Sequence, residues 1–195
     1  MGTDVNKVYV GAPLQSMTTG AVQTADVGTA APTDARTALP NAWGDGSGYV
    51  SQDGVTLSQN RSTETIKDWG LNSVRTLLTD FTGTIQYAEL ETNQESMERM
   101  VGAANVTVTA ANTTHGEQLK VAIGPELPPA RAWCFSMKDE ERRMRIFIPN
   151  GQVTAVADSQ FIPNAGVVWP FTITYNDDGT GHCIYIFTDD GVTSA

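Results

Sequence analysis

Chemistry, if this chain performs any, would have to start from two histidines, His115 and His182. A hydrolytic triad needs an imidazole beside a nucleophile. His115 lies in the polar run AANTTHGEQ and His182 borders the loop NDDGTGH, so both read as turn residues. His182 and Cys183 are adjacent, and neighbouring side chains on a strand point to opposite faces and cannot grip one ion. Cys134 and Cys183 sit in apolar, strand-like runs without CxxC spacing. They read as reduced, buried small hydrophobes, and the sequence leaves a Cys134–Cys183 disulfide open. The cluster Gly44-Asp45-Gly46-Ser47-Gly48 has no strand before it and no helix after it, so it is not a phosphate cradle. Asn176-Asp177-Asp178-Gly179 and Asp189-Asp190-Gly191 lack the alternating donors and distal glutamate of a calcium loop and read as turns. Arg142-Arg143-Arg145 follow Asp139-Glu140-Glu141, which suggests ion pairing across a hairpin, with an anionic partner as the alternative. No catalytic set, cofactor or metal is expected, and the chain is not expected to be an enzyme.

The elements that hold these residues are mostly short runs of period two. The 195 residues fit one domain, which buries roughly 70% of its extended-chain surface without staples. A net charge of −10, from 22 acids and 12 bases, argues against a nucleic-acid-binding surface, which needs clustered Lys and Arg. Charged residues make up only 17%, and threonine takes their place, as in a sheet with one wet face. The start MGTDVNKVYVGAP lacks the basic end and apolar core of a signal peptide, and no apolar run approaches membrane-spanning length.

Residues 1–10 read as an N-terminal arm or first strand, with Lys7–Val10 as the candidate. Residues 11–48 are rich in Ala, Thr, Gly, Pro and Asp and read as a long loop or arm that orders against a neighbouring subunit. Deleting that loop is therefore expected to leave a folded domain. Residues 49–195 read as the β core. Asp53-Gly54 signals a hairpin between residues 49–52 and 55–58, and Pro149-Asn150-Gly151 signals a turn. The last strand pair, residues 171–175 and 183–187, is joined by NDDGTGH. Thr92-Asn93-Gln94-Glu95 is a capping box, with Met97, Met100, Val101 and Ala104 at helical spacing and Gly102 as a stop, which gives one helix over about 92–102.

The runs Tyr49-Val50-Ser51-Gln52-Asp53-Gly54-Val55-Thr56, Ile66-Lys67-Asp68-Trp69-Gly70, Val74-Arg75, Leu77-Leu78-Thr79-Asp80-Phe81 and Leu90-Glu91-Thr92-Asn93 occur in this order. With them the chain resembles the major tail proteins of long-tailed, non-contractile bacteriophages (siphoviruses), in particular those of phages infecting actinobacteria. The resemblance implies a mainly β tail-tube fold, a β-sandwich or half-barrel with one flanking helix and long extended arms. It implies a structural subunit of six-fold rings that stack into the tail tube, the conduit for DNA ejection. Implied partners are further copies of the chain, a tape measure protein, a tail terminator and distal tail or baseplate proteins, with double-stranded DNA passing through. The implied place is the virion tail, after assembly in the host cytoplasm. On that reading Thr82, Thr84, Gln86, Thr172 and Thr174 are lumen-facing candidates. Trp43, Asp53, Gly54, Asp68, Trp69 and Gly70 are candidates for subunit or ring contacts, and the net negative charge would keep phosphates from lodging on the wall. The alternatives are the inner tube of a contractile tail or type VI secretion-like machine, and a carbohydrate-binding virion surface module that stacks sugars on Trp43, Trp69, Trp133 or Trp169.

Overall fold

A computed structural model describes residues 2–14, 20–44 and 46–193. Its elements are β1 (Val22–Asp26), β2 (Thr56–Lys67), β3 (Ser73–Glu89), α1 (Gln94–Val101), β4 (Val106–Thr109), β5 (Gln118–Val121), β6 (Arg131–Asp139), β7 (Arg142–Val156), β8 (Trp169–Tyr175) and β9 (Tyr185–Asp189). Seven strands form one antiparallel sheet in the order β1-β6-β7-β8-β3-β2, with β9 also on β7, and the sheet curls into a half-barrel. β4 and β5 pair separately beside α1. This is the mainly β half-barrel with one flanking helix expected from the sequence.

Alternation along the strands builds the core. Ile85 and Tyr87 of β3 and Phe171, Ile173 and Tyr175 of β8 point inward, to meet Trp133 and Phe135 of β6 and Ile146, Ile148 and Val153 of β7. Tyr87 stands edge-on to Phe135, centroids 5.3 Å apart, in the T-shaped geometry that aromatic quadrupoles favour. Gly83 has no room for a side chain, because the Tyr175 ring lies against it.

α1 begins at Asn93, whose Oδ1 accepts the Ser96 N–H at 2.8 Å, and ends at Gly102, whose φ of 85° suits glycine. The cap falls one residue after Thr92. Met97 and Met100 lay the helix on the core. A buried polar cluster fixes its orientation. Glu89, at the end of β3 and 0% exposed, accepts Arg99 Nε at 2.9 Å, Arg99 Nη2 at 3.0 Å, the Tyr87 hydroxyl at 2.8 Å and the Ser96 hydroxyl. Burial works against the Arg99 charge, but Glu89 beside it holds the guanidinium pKa above its ordinary value. The Tyr87 phenol is pushed well up, first by burial and then by the Glu89 charge.

Several local expectations are corrected. Lys7–Val10 is not a strand: a short 3-10 turn at Val5–Lys7 leads into it, and Val8 and Val10 are exposed because no sheet edge meets them. The described parts of residues 11–48 are not a detached loop. β1 pairs with β6 from Val22↔Phe135 to Asp26↔Arg131, and Pro13 bridges Met137 on the same edge. Trp43 is fully buried, 5.8 Å edge-on from Phe147, and Arg145 holds the carbonyls of Asp34 and Thr37 at 2.8 and 3.0 Å.

Asp53-Gly54 does not close a hairpin. Residues on both sides of it lie along β3, with Val50 bridging Glu89 and Thr56 facing Gln86. β3 is long enough to pair with both, so the turn only kinks the chain between them. Pro149-Asn150-Gly151 lies within β7. There β7 passes from β9, which pairs with residues 143–147, to β8, which pairs with residues 151–156. Pro149 occupies the gap between partners, where its missing N–H is not needed. β8 and β9 therefore lie end to end along β7 and do not pair with each other.

Candidate functional site

β8 pairs with β3 only over Gly83–Glu89. Beyond Gly83, β3 has β2 alone, so the residues from Asn60 to Thr82 project as a two-stranded ribbon. β2 and β3 form it because the runs Thr56–Lys67 and Ser73–Glu89 hold no proline and are rich in Thr. Two bulges, after Ser62 and after Ile66, let it twist. An isolated two-stranded ribbon is marginal in water. Among the described residues no strand pairs with the outer edge of β2, which makes it a template for another strand.

The tip holds three of the candidate contact residues, Asp68, Trp69 and Gly70. Asp68 Oδ1 accepts the Asn72 N–H at 2.8 Å, and its Oδ2 accepts Asn72 Nδ2 at 3.0 Å. This clamp holds Leu71 at φ 65°, an uncommon conformation for a branched side chain, and leaves Trp69 at 103% exposure. Ile66, Leu71, Val74 and Leu78 are exposed on the same ribbon, on its two faces, on a body whose aromatics are otherwise mostly covered.

The Asn72 side chain, then its backbone N–H, draws the Asp68 pKa below the ordinary carboxylate value. The clamp is therefore complete above an unfolded aspartate's pKa of about 3.9 and is lost as pH falls through the lower folded value. The Asn72 amide proton shift is expected to titrate with a midpoint below about 3.9, and a midpoint at or above that value would contradict the clamp.

The five lumen-facing candidates meet on one surface, the sheet face opposite the aromatic core. Thr84 faces Thr174 and Gln86 faces Thr172 across β3 and β8. Thr82 faces Asn60, Thr84 faces Ser58 and Gln86 faces Thr56 across β3 and β2. On the β7 side Gln152 faces Thr174, and Thr154 Oγ1 lies 2.8 Å from Thr174 Oγ1. The result is a band of hydroxyls and amides over four strands, uncharged until Asp80, which accepts the Thr82 hydroxyl at 3.2 Å. Of the other contact candidates, Asp53 and Gly54 form an exposed turn at the start of β2, with Gly54 at φ 68° and Ser51 Oγ donating to Asp53 at 3.1 Å. Trp43 lies apart from them, inside the subunit. The sequence reading missed Ile66, Leu71, Val74 and Leu78, as well as Gln152 and Thr154. The unusually long run of strand formers on either side of a single DWGLN turn was the signal for the first group.

Elsewhere the titratable groups serve turns and core. His115 bonds Asn112 Nδ2 at 2.8 Å within its own loop, and His182 lies 3.2 Å from the Thr180 hydroxyl. Both cysteines are free thiols, and burial pushes Cys134 up to about 11. Trp133 is buried, and Trp169 is half-buried with its Nε1 donating to Thr92 Oγ1 at 2.9 Å. Among the described residues no three His, Cys, Asp or Glu side chains stand close enough to share a metal ion, and no helix is long and apolar enough to cross a membrane.

A family model described as phage tail tube protein matches residues 2–195. The chain belongs to that family. It is a structural protein of the phage tail, and self-assembly into a tube together with other tail proteins is what membership implies. No curated protein matches it. Among solved structures, the cap that terminates the tube of the anti-feeding prophage aligns over 97% of this chain and 100% of its own, at 11% identity and a TM-score of 0.46.

Proposed function

We propose that this tail tube family member forms stacked hexameric rings, the tail tube of a long-tailed, non-contractile phage, and that DNA leaves the capsid through its lumen. The observation that carries this reading is the unpartnered β2–β3 ribbon, with a bare β2 edge and exposed Trp69 and Leu71 at its end. Closing a ring removes such edges, since each ribbon's outer strand pairs with the next subunit. The band of Thr82, Thr84, Gln86, Thr172 and Thr174 then lines the channel.

That wall is uncharged at these positions, so phosphates pass hydroxyls that offer neither a cation to hold them nor, over most of the band, an anion to repel them. The net −10 of the chain lies outside these five residues. The tape measure protein would occupy the same lumen before ejection, and terminator and distal tail proteins would cover the two exposed ring faces.

Negative-stain microscopy of the purified protein over a range of concentrations, alongside the intact virion, is the test. Six-fold rings or tubes that grow with concentration are expected. Monodisperse monomers throughout, together with a virion tube that lacks this chain, would defeat the reading.

A further inference from the structure

A second unpartnered apolar surface lies on the body of the subunit. α1, the end of β7 and the segments around residues 123–128 and 159–161 enclose a groove of about 610 Å³. Met100 and Val153 form its buried floor, and Ile123, Leu127 and Phe161 stand exposed around it. Phe161 is braced edge-on by Trp169, with centroids 6.1 Å apart.

We propose that this groove receives the hairpin tip of a second copy of the chain, with Trp69 as the inserted side chain and Leu71 beside it. The proposal rests on the tube reading for its setting and names the contact that joins one subunit to the next.

Three observations select this occupant. First, both surfaces are exposed and apolar on the same chain, and the groove is large enough for an indole and a leucine together. Second, the net charges are opposite: Lys67 and Arg75 outweigh Asp68 at the tip and form no ion pair among the described residues, and Glu126 in the groove lining and Asp158 beside it are likewise without an ion pair there. Attraction between such pairs sets register and encounter rate. Third, the tip is held ready: the Asp68–Asn72 clamp fixes the turn before contact, which lowers the ordering cost of docking. The ribbon also keeps its own tip clear of its own body, because Trp69 is fully exposed. A tip-to-groove contact joins two different surfaces, so, except where two copies exchange tips reciprocally, it propagates into a closed ring or an open helix.

Site-directed cross-linking tests this on the full chain in a Cys183→Ser background. Ser73→Cys protein, which carries its thiol beside the tip and keeps Trp69 and Leu71, is mixed with Ile123→Cys protein, oxidised, and read on non-reducing gels and by microscopy. A disulfide-linked dimer in the mixture, and little in either protein alone, is expected. Tubes without that cross-link would overturn the tip-to-groove contact and leave the tube reading intact. A cross-linked dimer without tubes or rings would support the contact and defeat the tube reading. Neither product would overturn the contact. A charge reversal provides an independent readout: Lys67→Glu should raise the concentration needed for assembly about tenfold, and adding Glu126→Lys should restore it. Trp69→Ala should raise it about thirtyfold, the loss typical of an interfacial aromatic anchor, without moving the melting temperature of the monomer. A lowered melting temperature would place Trp69 in the subunit's own packing and overturn its role as the inserted side chain.

Discussion

Arg99→Ala is expected to destabilise the subunit by about 3–5 kcal/mol, measured as a fall in the denaturant midpoint at unchanged slope. The reason is the burial of Glu89. Its carboxylate is out of contact with water and depends on Arg99 for two of its bonds, with Tyr87 and Ser96 supplying the others. Removing the guanidinium leaves a charge with neither solvent nor counterion. The double replacement Glu89→Met with Arg99→Met removes both charges and keeps the volume, so it should cost much less. Equal losses in the single and double variants would show that the pair acts only by packing. Because Glu89 ends β3 and Arg99 lies on α1, the single variant should also release the helix from the sheet, seen as faster amide exchange across Gln94–Val101.

The second large effect lies in the segment before residue 49. Deleting residues 11–48 should abolish the folded state, and Trp43→Ala alone should cost about 3–5 kcal/mol. The deletion strips β1 from β6 and removes Trp43 from its place against Phe147, Ala132 and Cys134. It also removes the carbonyls of Asp34 and Thr37 that satisfy the buried Arg145, 4% exposed. A deletion that retains cooperative melting and its β-type circular dichroism would show that β6 tolerates a bare edge.

Why that segment reads as a loop is physical. Few large apolar residues are spread through it, and two of them, Val22 and Trp43, carry much of its burial, helped by Ala25 and Ala35, which fit because they are small. Composition averages such anchors away. The half-barrel itself was legible because alternation is strict where both faces are defined: Phe171-Thr172-Ile173-Thr174-Tyr175 reads as one dry face and one wet one, and the structure places it so. The helix was legible from its cap and its methionines. Partner choice was not legible. The Pro149-Asn150-Gly151 turn signal is real in isolation, but β7 crosses it because a second strand is available on the far side. The same holds at the candidate site. Alternation grouped Thr82, Thr84, Gln86, Thr172 and Thr174 on one face, whereas Trp43 and Trp69 look alike in sequence and differ completely in exposure, which only the tertiary fold decides.

β3 runs without a break from the tip of the ribbon to Glu89. Its last seven residues, Gly83–Glu89, each face a residue of β8, and its end is anchored through Glu89 to α1. A tug on the tip, directed along the ribbon, therefore reaches the body of the subunit down a single strand. It loads that ladder in shear, so the bonds share the tension and do not open one at a time like a zipper. A particle strung together through such tips would resist stretching far better than peeling.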